Sequence, residues 1–145
     1  MCLLETIVEW DAEHAVLATQ SHRSADNPLR SDGCLRALHL CEYGAQAMAV
    51  HGSLVARAAG TRAQPGLLVS LRDVELFRRY VDDLPGELRV EARRLTTGSG
   101  AWQYTFEVRH AGELLAAGRA AVMARDAPAR AEPPAPRRPY PDATG

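Results

Sequence analysis

The fold is decided by residues 31–60, SDGCLRALHLCEYGAQAMAVHGSLVARAAG. Apolar and small residues recur there at helical spacing: Leu35, Leu38, Cys41, Ala45, Met48, Gly52 and Val55. Ser31 or Asp32 can cap the free amides of the first turn, and Gly60 can close the last turn. A helix that is apolar or small almost all round is normally buried in its domain. The sequence therefore predicts one long central helix that begins near Ser31.

Glu42 is the unusual residue of this helix. Burying an ionised carboxylate is costly unless a partner or a reaction uses the charge. Gln46 lies four residues later and therefore on the same helix face, and His39 lies one turn earlier. We interpret Glu42 as a candidate functional residue with Gln46 and His39 beside it. A structural carboxylate held by Ser, Arg or backbone groups is the alternative.

The segments around the helix alternate as strands do. Residues 3–10 predict a half-buried strand, and a second strand follows that ends at Gln20. After the helix come a buried strand at 67–76, a turn at 82–86 and three strands of a meander. The last strand is rich in Ala and Gly, and small side chains there would let the helix lie close. This order predicts an α+β domain, an antiparallel sheet wrapped around one long helix.

Composition limits the function classes. The 145 residues, 46% of them hydrophobic, suit one domain at 1–125, followed by a Pro-rich and disordered tail at 126–145. A formal net charge of -1 indicates no broad basic surface for nucleic acid or membrane. The sequence shows no signal peptide or membrane span, so we expect a cytoplasmic protein. Three cysteines without a CxxC pair and five scattered histidines predict no disulfide framework and no metal site.

Several segments together resemble a known family. The sequence EYGAQAMA, residues 42–49, resembles the central-helix motif of hotdog-fold 3-hydroxyacyl-(acyl carrier protein) dehydratases, an acidic residue followed four positions later by Gln. LLETIVEWD (3–11), NPL (27–29) and DGCLRALHLCEYGAQAMAVHG (32–52) look like the subgroup found with aryl-polyene pigment pathways. The resemblance covers residues 3–124 and implies a hotdog fold, an antiparallel β-sheet wrapped around one long central helix.

The resemblance also implies a reaction: dehydration of 3-hydroxyacyl chains on acyl carrier protein, in fatty acid or polyene biosynthesis, without cofactor. That reaction needs a base for the proton next to the carbonyl, an acid for the departing hydroxyl, and polarisation of the carbonyl. Glu42, desolvated in an acyl tunnel, could hold or donate the proton. Free amides at the predicted helix N-terminus could bind the thioester oxygen. The predicted substrate-binding residues are Gly33, Cys34, Gln46, His39 and Asn27.

The general base is where this sequence departs from the family. Related dehydratases commonly place a His just before the central helix, in a His-Phe-Pro-Gly type sequence, but this loop reads SADNPLRSDG (24–33). The loop also resembles the D-x-N-P-x-H loop of hotdog enoyl hydratases, with Arg30 where the His is wanted. His22 is the candidate base, and a surface residue at a strand end is its alternative. The relatives usually begin with a Pro-His-Arg segment, so either the true start lies upstream or this edge is lost.

The family places its active sites at a dimer interface, with helices side by side and sheets joined edge to edge. Glu42 of one subunit would then line a cavity and face the pre-helix loop of the other. The expected partners are acyl carrier protein or an acyl thioester, and a second hotdog subunit in a homodimer or heterodimer. Two alternatives stay open: a non-catalytic subunit that completes an active paralogue, and an acyl thioesterase.

Overall fold

The computed structural model of the protein describes residues 2–62, 66–98 and 101–124. The described chain forms six strands and one α-helix, in the predicted order. The strands are β1 (Thr6–Trp10), β2 (His14–Thr19), β3 (Gly66–Leu76), β4 (Leu88–Gly98), β5 (Ala101–His110) and β6 (Glu113–Ala124). Helix α1 spans Leu40–Ala58, and short 3-10 turns precede it at Ser21–Arg23 and Ala37–His39. The tail predicted at 126–145 lies outside the described residues.

The strands form one antiparallel sheet in the order β1-β2-β4-β5-β6-β3. The two edges of the sheet are β1 and β3, and α1 packs across strands β2, β4, β5 and β6. One long helix on a six-stranded antiparallel sheet is the predicted α+β hotdog architecture, which the structure confirms.

The helix begins later than predicted, at Leu40. Ser31 and Cys34 instead close a tight turn, with backbone hydrogen bonds in both directions of 2.8 and 2.9 Å. Inside that turn Asp32 and Gly33 have positive φ angles of 54° and 75°. Left-handed residues cannot belong to a right-handed helix. The prediction that the helix starts at this turn was therefore wrong.

Phe106 of β5 is the tightest point between α1 and the sheet. A Cβ atom added to Gly44 of α1 would lie 2.6 Å from the phenyl ring, and one added to Gly118 of β6 would lie 2.7 Å from it. Contacts that short do not occur between real carbon atoms, so both positions need glycine while the ring stays in place. The small residues predicted for the last strand therefore admit an aromatic ring of the core.

Strand β1 differs from its prediction as a half-buried strand, because all five of its residues are exposed in the single chain. It is an edge strand that pairs with β2 alone among the described strands. The residues just before it are the buried ones: Leu3 and Leu4 belong to the core. The backbone N–H of Leu3 donates to Oε1 of Gln46 at 2.8 Å, which fixes this segment to α1.

Candidate functional site

Glu42 lies in the first turn of α1 and is exposed in the single chain. It shares a helix face with Ala45, Gln46 and Ala49, of which Ala45 and Gln46 are half-buried and Ala49 is exposed. The opposite face of α1 is the buried one and carries Leu40, Tyr43, Gly44, Ala47, Met48 and His51. A negative charge in the first turn is favoured by the positive end of the helix dipole. The expected burial of Glu42 does not occur in the single chain.

The loop before α1 is held by a dense polar network around Tyr43. The Tyr43 hydroxyl lies 2.9 Å from Ser21 Oγ and accepts a hydrogen bond from Asn27 Nδ2 at 3.0 Å. Asn27 Nδ2 also donates to the Ser21 carbonyl at 2.9 Å, and Asn27 Oδ1 accepts from the Leu29 N–H at 2.8 Å. Both ends of the Asn27 amide are thus engaged in shaping the loop. Its predicted contact with substrate stays a prediction.

His22 lies inside the protein with no exposed surface. Its Nε2 is 2.9 Å from the Leu84 carbonyl oxygen, and a carbonyl only accepts, so Nε2 carries the proton. Burial lowers the pKa of His22, and the nearby cation Arg23 acts in the same direction. Nδ1 is buried without a hydrogen-bond partner among the described residues. The alternative of a surface residue at a strand end is therefore wrong.

Three further predicted residues, Gly33, Cys34 and His39, lie in the segment between Asn27 and α1. The N–H of Cys34 donates to the Ser31 carbonyl at 2.9 Å, and the Gly33 carbonyl accepts from Arg30 Nη1 at 2.8 Å. Gly33 and Cys34 therefore do not form the N-terminus of the helix, and the reason for placing a thioester oxygen there was wrong. His39 is half-buried at the residue that precedes α1, and it does not contact Glu42 through any described ion pair.

A cavity of about 640 Å³ lies under the second half of α1. Small helix residues form one wall, with Ala45, Ala49 and Gly52 among them, and Leu68 and Trp102 of the sheet lie opposite. The volume falls within the range of about 300–1,000 Å³ that is usual for small-molecule sites. The cavity begins one helical turn after Glu42, at Ala45.

A second polar network borders this cavity. Arg94 Nε donates to the Tyr104 hydroxyl at 3.1 Å, and this hydroxyl lies 2.8 Å from Nδ1 of His51. His51 Nε2 lies 3.0 Å from the Asp11 carbonyl oxygen and therefore carries the ring proton, so Tyr104 donates to Nδ1. Burial lowers the pKa of His51 and raises the pKa of Tyr104. Both groups are accordingly neutral near pH 7.

This network was not predicted from the sequence. The alternation along β4 could have indicated it, because Arg94 lies on the same strand face as Val90 and Ala92, which are buried beneath the helix. In the β4–β5 ladder Arg94 lies directly opposite Tyr104. The guanidinium carbon of Arg94 is 5.5 Å from the ring centroids of both Tyr104 and Trp102.

The family profile named ApeP-like, described as ApeP dehydratase, matches residues 1–132. This chain belongs to the ApeP-like dehydratase family. The match spans the whole described sheet and helix, so the family resemblance of the sequence is confirmed. No curated protein sequence gives a significant match to this ApeP-like chain.

Solved structures agree on the fold. The dehydratase heterocomplex ApeI:P from Xenorhabdus doucetiae matches with a TM-score of 0.76 at 20% identity, over 85% of this chain and 82% of that chain. AziG from S. sahachiroi matches with a TM-score of 0.60 at 19% identity, over 83% and 90%. A hypothetical thioesterase with coenzyme A from Streptococcus pneumoniae matches with a TM-score of 0.61 at 12% identity, over 82% and 86%. At such identities the similarity establishes the hotdog fold of the ApeP-like chain.

Within residues 2–62, 66–98 and 101–124, His, Cys, Asp and Glu side chains form no group that could hold a metal ion. In the same residues, no helix is both long enough and apolar enough to cross a bilayer.

Proposed function

We propose that this ApeP-like protein dehydrates 3-hydroxyacyl chains carried on acyl carrier protein, as one subunit of a hotdog dimer. The observation that carries the proposal is Glu42, a carboxylate on a helix face of otherwise small or amide side chains. In a family of dehydratases, a carboxylate at the start of such a face is the natural acid–base group.

Dehydration breaks the bond between Cβ of the acyl chain and its hydroxyl oxygen after a base has taken the proton from Cα. The electrons of that C–H bond form the new double bond, and the hydroxyl leaves as water once an acid has protonated it. We assign the acid to Glu42 in its protonated form.

A dimer is proposed because two surfaces of the single chain are left uncovered. The edge strand β3 presents Leu68, Leu71 and Leu76, which are 44%, 40% and 41% exposed. The face of α1 that carries Glu42 and Ala49 is also uncovered. Unpaired apolar strand edges are usually covered by another chain. We propose that a second hotdog subunit pairs with β3 and lies along this helix face.

The burial of His22 supports a heterodimer, in which the second subunit is a different hotdog protein. The ring has no exposed surface and its Nε2 is engaged by the Leu84 carbonyl, so a substrate does not reach it while the loop is closed. We propose that the base comes from a partner hotdog protein that carries a loop histidine. The similar dehydratase from Xenorhabdus doucetiae is a heterocomplex, which is consistent with that arrangement. His22 would act as base only if the loop opened.

The test uses purified protein, alone and mixed with a hotdog protein from the same genome that has the loop histidine. Water elimination, hydration of the 2-enoyl product and release of free thiol are followed together with carrier-protein substrates. Glu42→Gln should lower elimination by about 10²–10⁴-fold, because a proton transfer in the transition state is lost. Glu113→Gln, at an exposed carboxylate of β6, is the matched control and should retain full activity.

The same experiment separates the alternatives. Full activity of Glu42→Gln in the complex, together with loss of activity when the chain is omitted, would identify a non-catalytic subunit. Release of free thiol without elimination would identify a thioesterase. If His22→Ala abolishes elimination by the chain alone, the base lies in this chain after all. Light scattering on each variant checks that the dimer is intact.

A further inference from the structure

We infer that the cavity under the second half of α1 binds an apolar chain that ends in a carboxylate, and that Arg94 holds the carboxylate. This site lies beyond the proposed dehydration site at Glu42. The inference concerns binding and does not require that the protein be a dehydratase.

The charges around the cavity indicate an anionic ligand. Two arginines, Arg62 and Arg94, line it, and no Asp or Glu lines it among the described residues. Four described arginines, Arg78, Arg89, Arg93 and Arg109, form ion pairs with carboxylates, for example Arg93 with Glu91 at 3.4 Å, and Arg94 is in none of these pairs. A half-buried guanidinium without a counter-ion is well suited to an incoming carboxylate.

Arg94 is also held in position before any ligand arrives. Its Nε is engaged by the Tyr104 hydroxyl, which in turn is fixed by His51, and the rings of Tyr104 and Trp102 flank the guanidinium. This leaves the two Nη groups as donors. Nη2 lies 4.0 Å from the position of a Cβ atom added to Gly52, so it is on the helix side of the cavity. A donor fixed in advance loses little entropy on binding.

The other lining groups suit a hydrocarbon chain. Ala45 and Ala49 contribute only methyl groups from the helix, and Leu68, Trp102 and Val122 contribute apolar surface from the sheet. A chain that lies between these walls would bury its methylene groups while its carboxylate reaches Arg94. Apolar walls with a few fixed polar groups are typical of small-molecule sites.

The test measures binding of decanoate by tryptophan fluorescence. The sequence has two tryptophans, Trp10 and Trp102, and Trp102 lines the cavity. In a Trp10→Phe background the signal therefore comes from Trp102. We expect decanoate to change the emission, and we expect decanol, which has no charge, to bind about 10–100-fold more weakly.

Arg94→Gln should weaken decanoate binding by about 10–100-fold and leave decanol binding unchanged. Arg93→Gln is the matched control, since Arg93 is the exposed neighbour on the other face of β4 and pairs with Glu91. It should bind decanoate like the parent protein. Circular dichroism melts confirm that each variant is folded.

Gly52→Leu tests the site from the helix side. The added side chain points into the cavity, and the contact of its Cβ with Arg94 at 4.0 Å is an ordinary one. Leu is also a better helix former than Gly, so the variant should fold at least as stably. We expect it to lose decanoate binding. If Arg94→Gln does not fold, Gly52→Leu and the comparison with decanol still test whether decanoate binds in the cavity with its carboxylate at Arg94.

Three results would overturn the inference. The first is that decanoate does not bind to the Trp10→Phe protein. The second is that decanol binds as tightly as decanoate, which would leave Arg94 without a role. The third is that Arg94→Gln or Gly52→Leu binds decanoate as tightly as Arg93→Gln does. Dehydration is not measured in any arm, so failure of the proposed function would not produce these results.

Discussion

The two halves of α1 rest on the same sheet but pack against it differently. The first half lies on Phe106, close enough that Gly44 cannot carry a side chain. The second half lies over a cavity, and Gly52 has open space with Arg94 at its limit. The Tyr43 network adjoins the first half and the Tyr104 network adjoins the second, and the second network borders the cavity. The first half is thus packed tightly on the sheet, whereas the second half leaves space beneath it.

The largest effect should come from exchanging the two helix glycines for alanine. Gly44→Ala puts a methyl group 2.6 Å from the Phe106 ring, which Gly118 confines from the other side. We expect the free energy of unfolding to fall by about 1–3 kcal/mol. Gly52→Ala meets no such contact and should raise it by about 0.5–1 kcal/mol through helix propensity. Urea denaturation measures both, and equal effects would contradict the difference between the halves.

The next effect concerns the tyrosine networks. Tyr43→Phe removes a hydroxyl from Ser21 and Asn27, but Ser21 Oγ still donates to the Leu3 carbonyl and Asn27 Nδ2 to that of Ser21. Because partners remain, we expect a loss of only about 1 kcal/mol in unfolding free energy. The exposed Tyr80 provides the control, and Tyr80→Phe should stay within about 0.5 kcal/mol of the parent. A Tyr43→Phe protein as stable as this control would show that the network is dispensable.

Tyr104→Phe should have a comparable effect on stability but also a functional one. Arg94 loses the acceptor of its Nε, and Nδ1 of His51 loses its donor. We expect weaker decanoate binding from Tyr104→Phe and unchanged binding from Tyr43→Phe, measured by the fluorescence of Trp102. If both variants bind decanoate equally, the two tyrosine networks do not differ in their contribution to binding.

A smaller effect should appear as pH dependence. Burial lowers the pKa of both His22 and His51 below the ordinary value of 6.5, so the unfolded chain binds protons more readily than the folded one. The free energy of unfolding should be constant above pH 6.5 and fall as the pH drops below it. The pKa of Asp11 is lowered from 3.8 to about 2, so the stability that its ionised form contributes is lost only below about pH 3.8.

Variants divide this pH dependence between the two histidines. Between pH 7.5 and 5, His22→Gln and His51→Gln should each reduce the fall in unfolding free energy, and the double variant should be nearly flat. Urea denaturation at a series of pH values measures the slopes. A parent protein whose stability does not change over this range would show that neither histidine is kept from protonation.

The smallest effect is expected from the tail, which belongs to neither half. Its proline density and lack of apolar periodicity leave little to bury, so removal of residues 129–145 should cost less than about 1 kcal/mol. In a thermal melt that corresponds to a shift below about 4 °C. A larger drop would mean that the tail packs on the domain.

The strands could be predicted because their signal is local. Alternation with a period of two placed β4 and β5 correctly, and the apolar run after the helix placed β3. The helix start could not be predicted in the same way. Residues 35–39 have helical spacing of apolar residues, but the turn before them is fixed by a contact distant in sequence, the bond from the Leu35 N–H to Asp82 Oδ1 at 2.8 Å.

The candidate site was only partly predictable for a related reason. The sequence singles out Glu42, since a carboxylate interrupts an apolar helix, and His22, since it is near the loop. Which strand residues face the cavity depends on the strand register, and Arg94 meets Tyr104 only through the β4–β5 pairing. A prediction from one sequence does not contain that register.

The hairpin between β5 and β6 has a consequence for the order of events in folding. Ala111 and Gly112 join the two strands, and both have positive φ angles, 49° and 83°. A turn of this kind favours Asn or Asp in its first position, and alanine there costs about 1 kcal/mol. The turn is therefore a poor nucleus, and we expect β5 and β6 to join late, after collapse has brought them together. Ala111→Asn should then slow unfolding in stopped-flow measurements while the rate of refolding changes little, because contacts that form after the transition state affect mainly the unfolding rate.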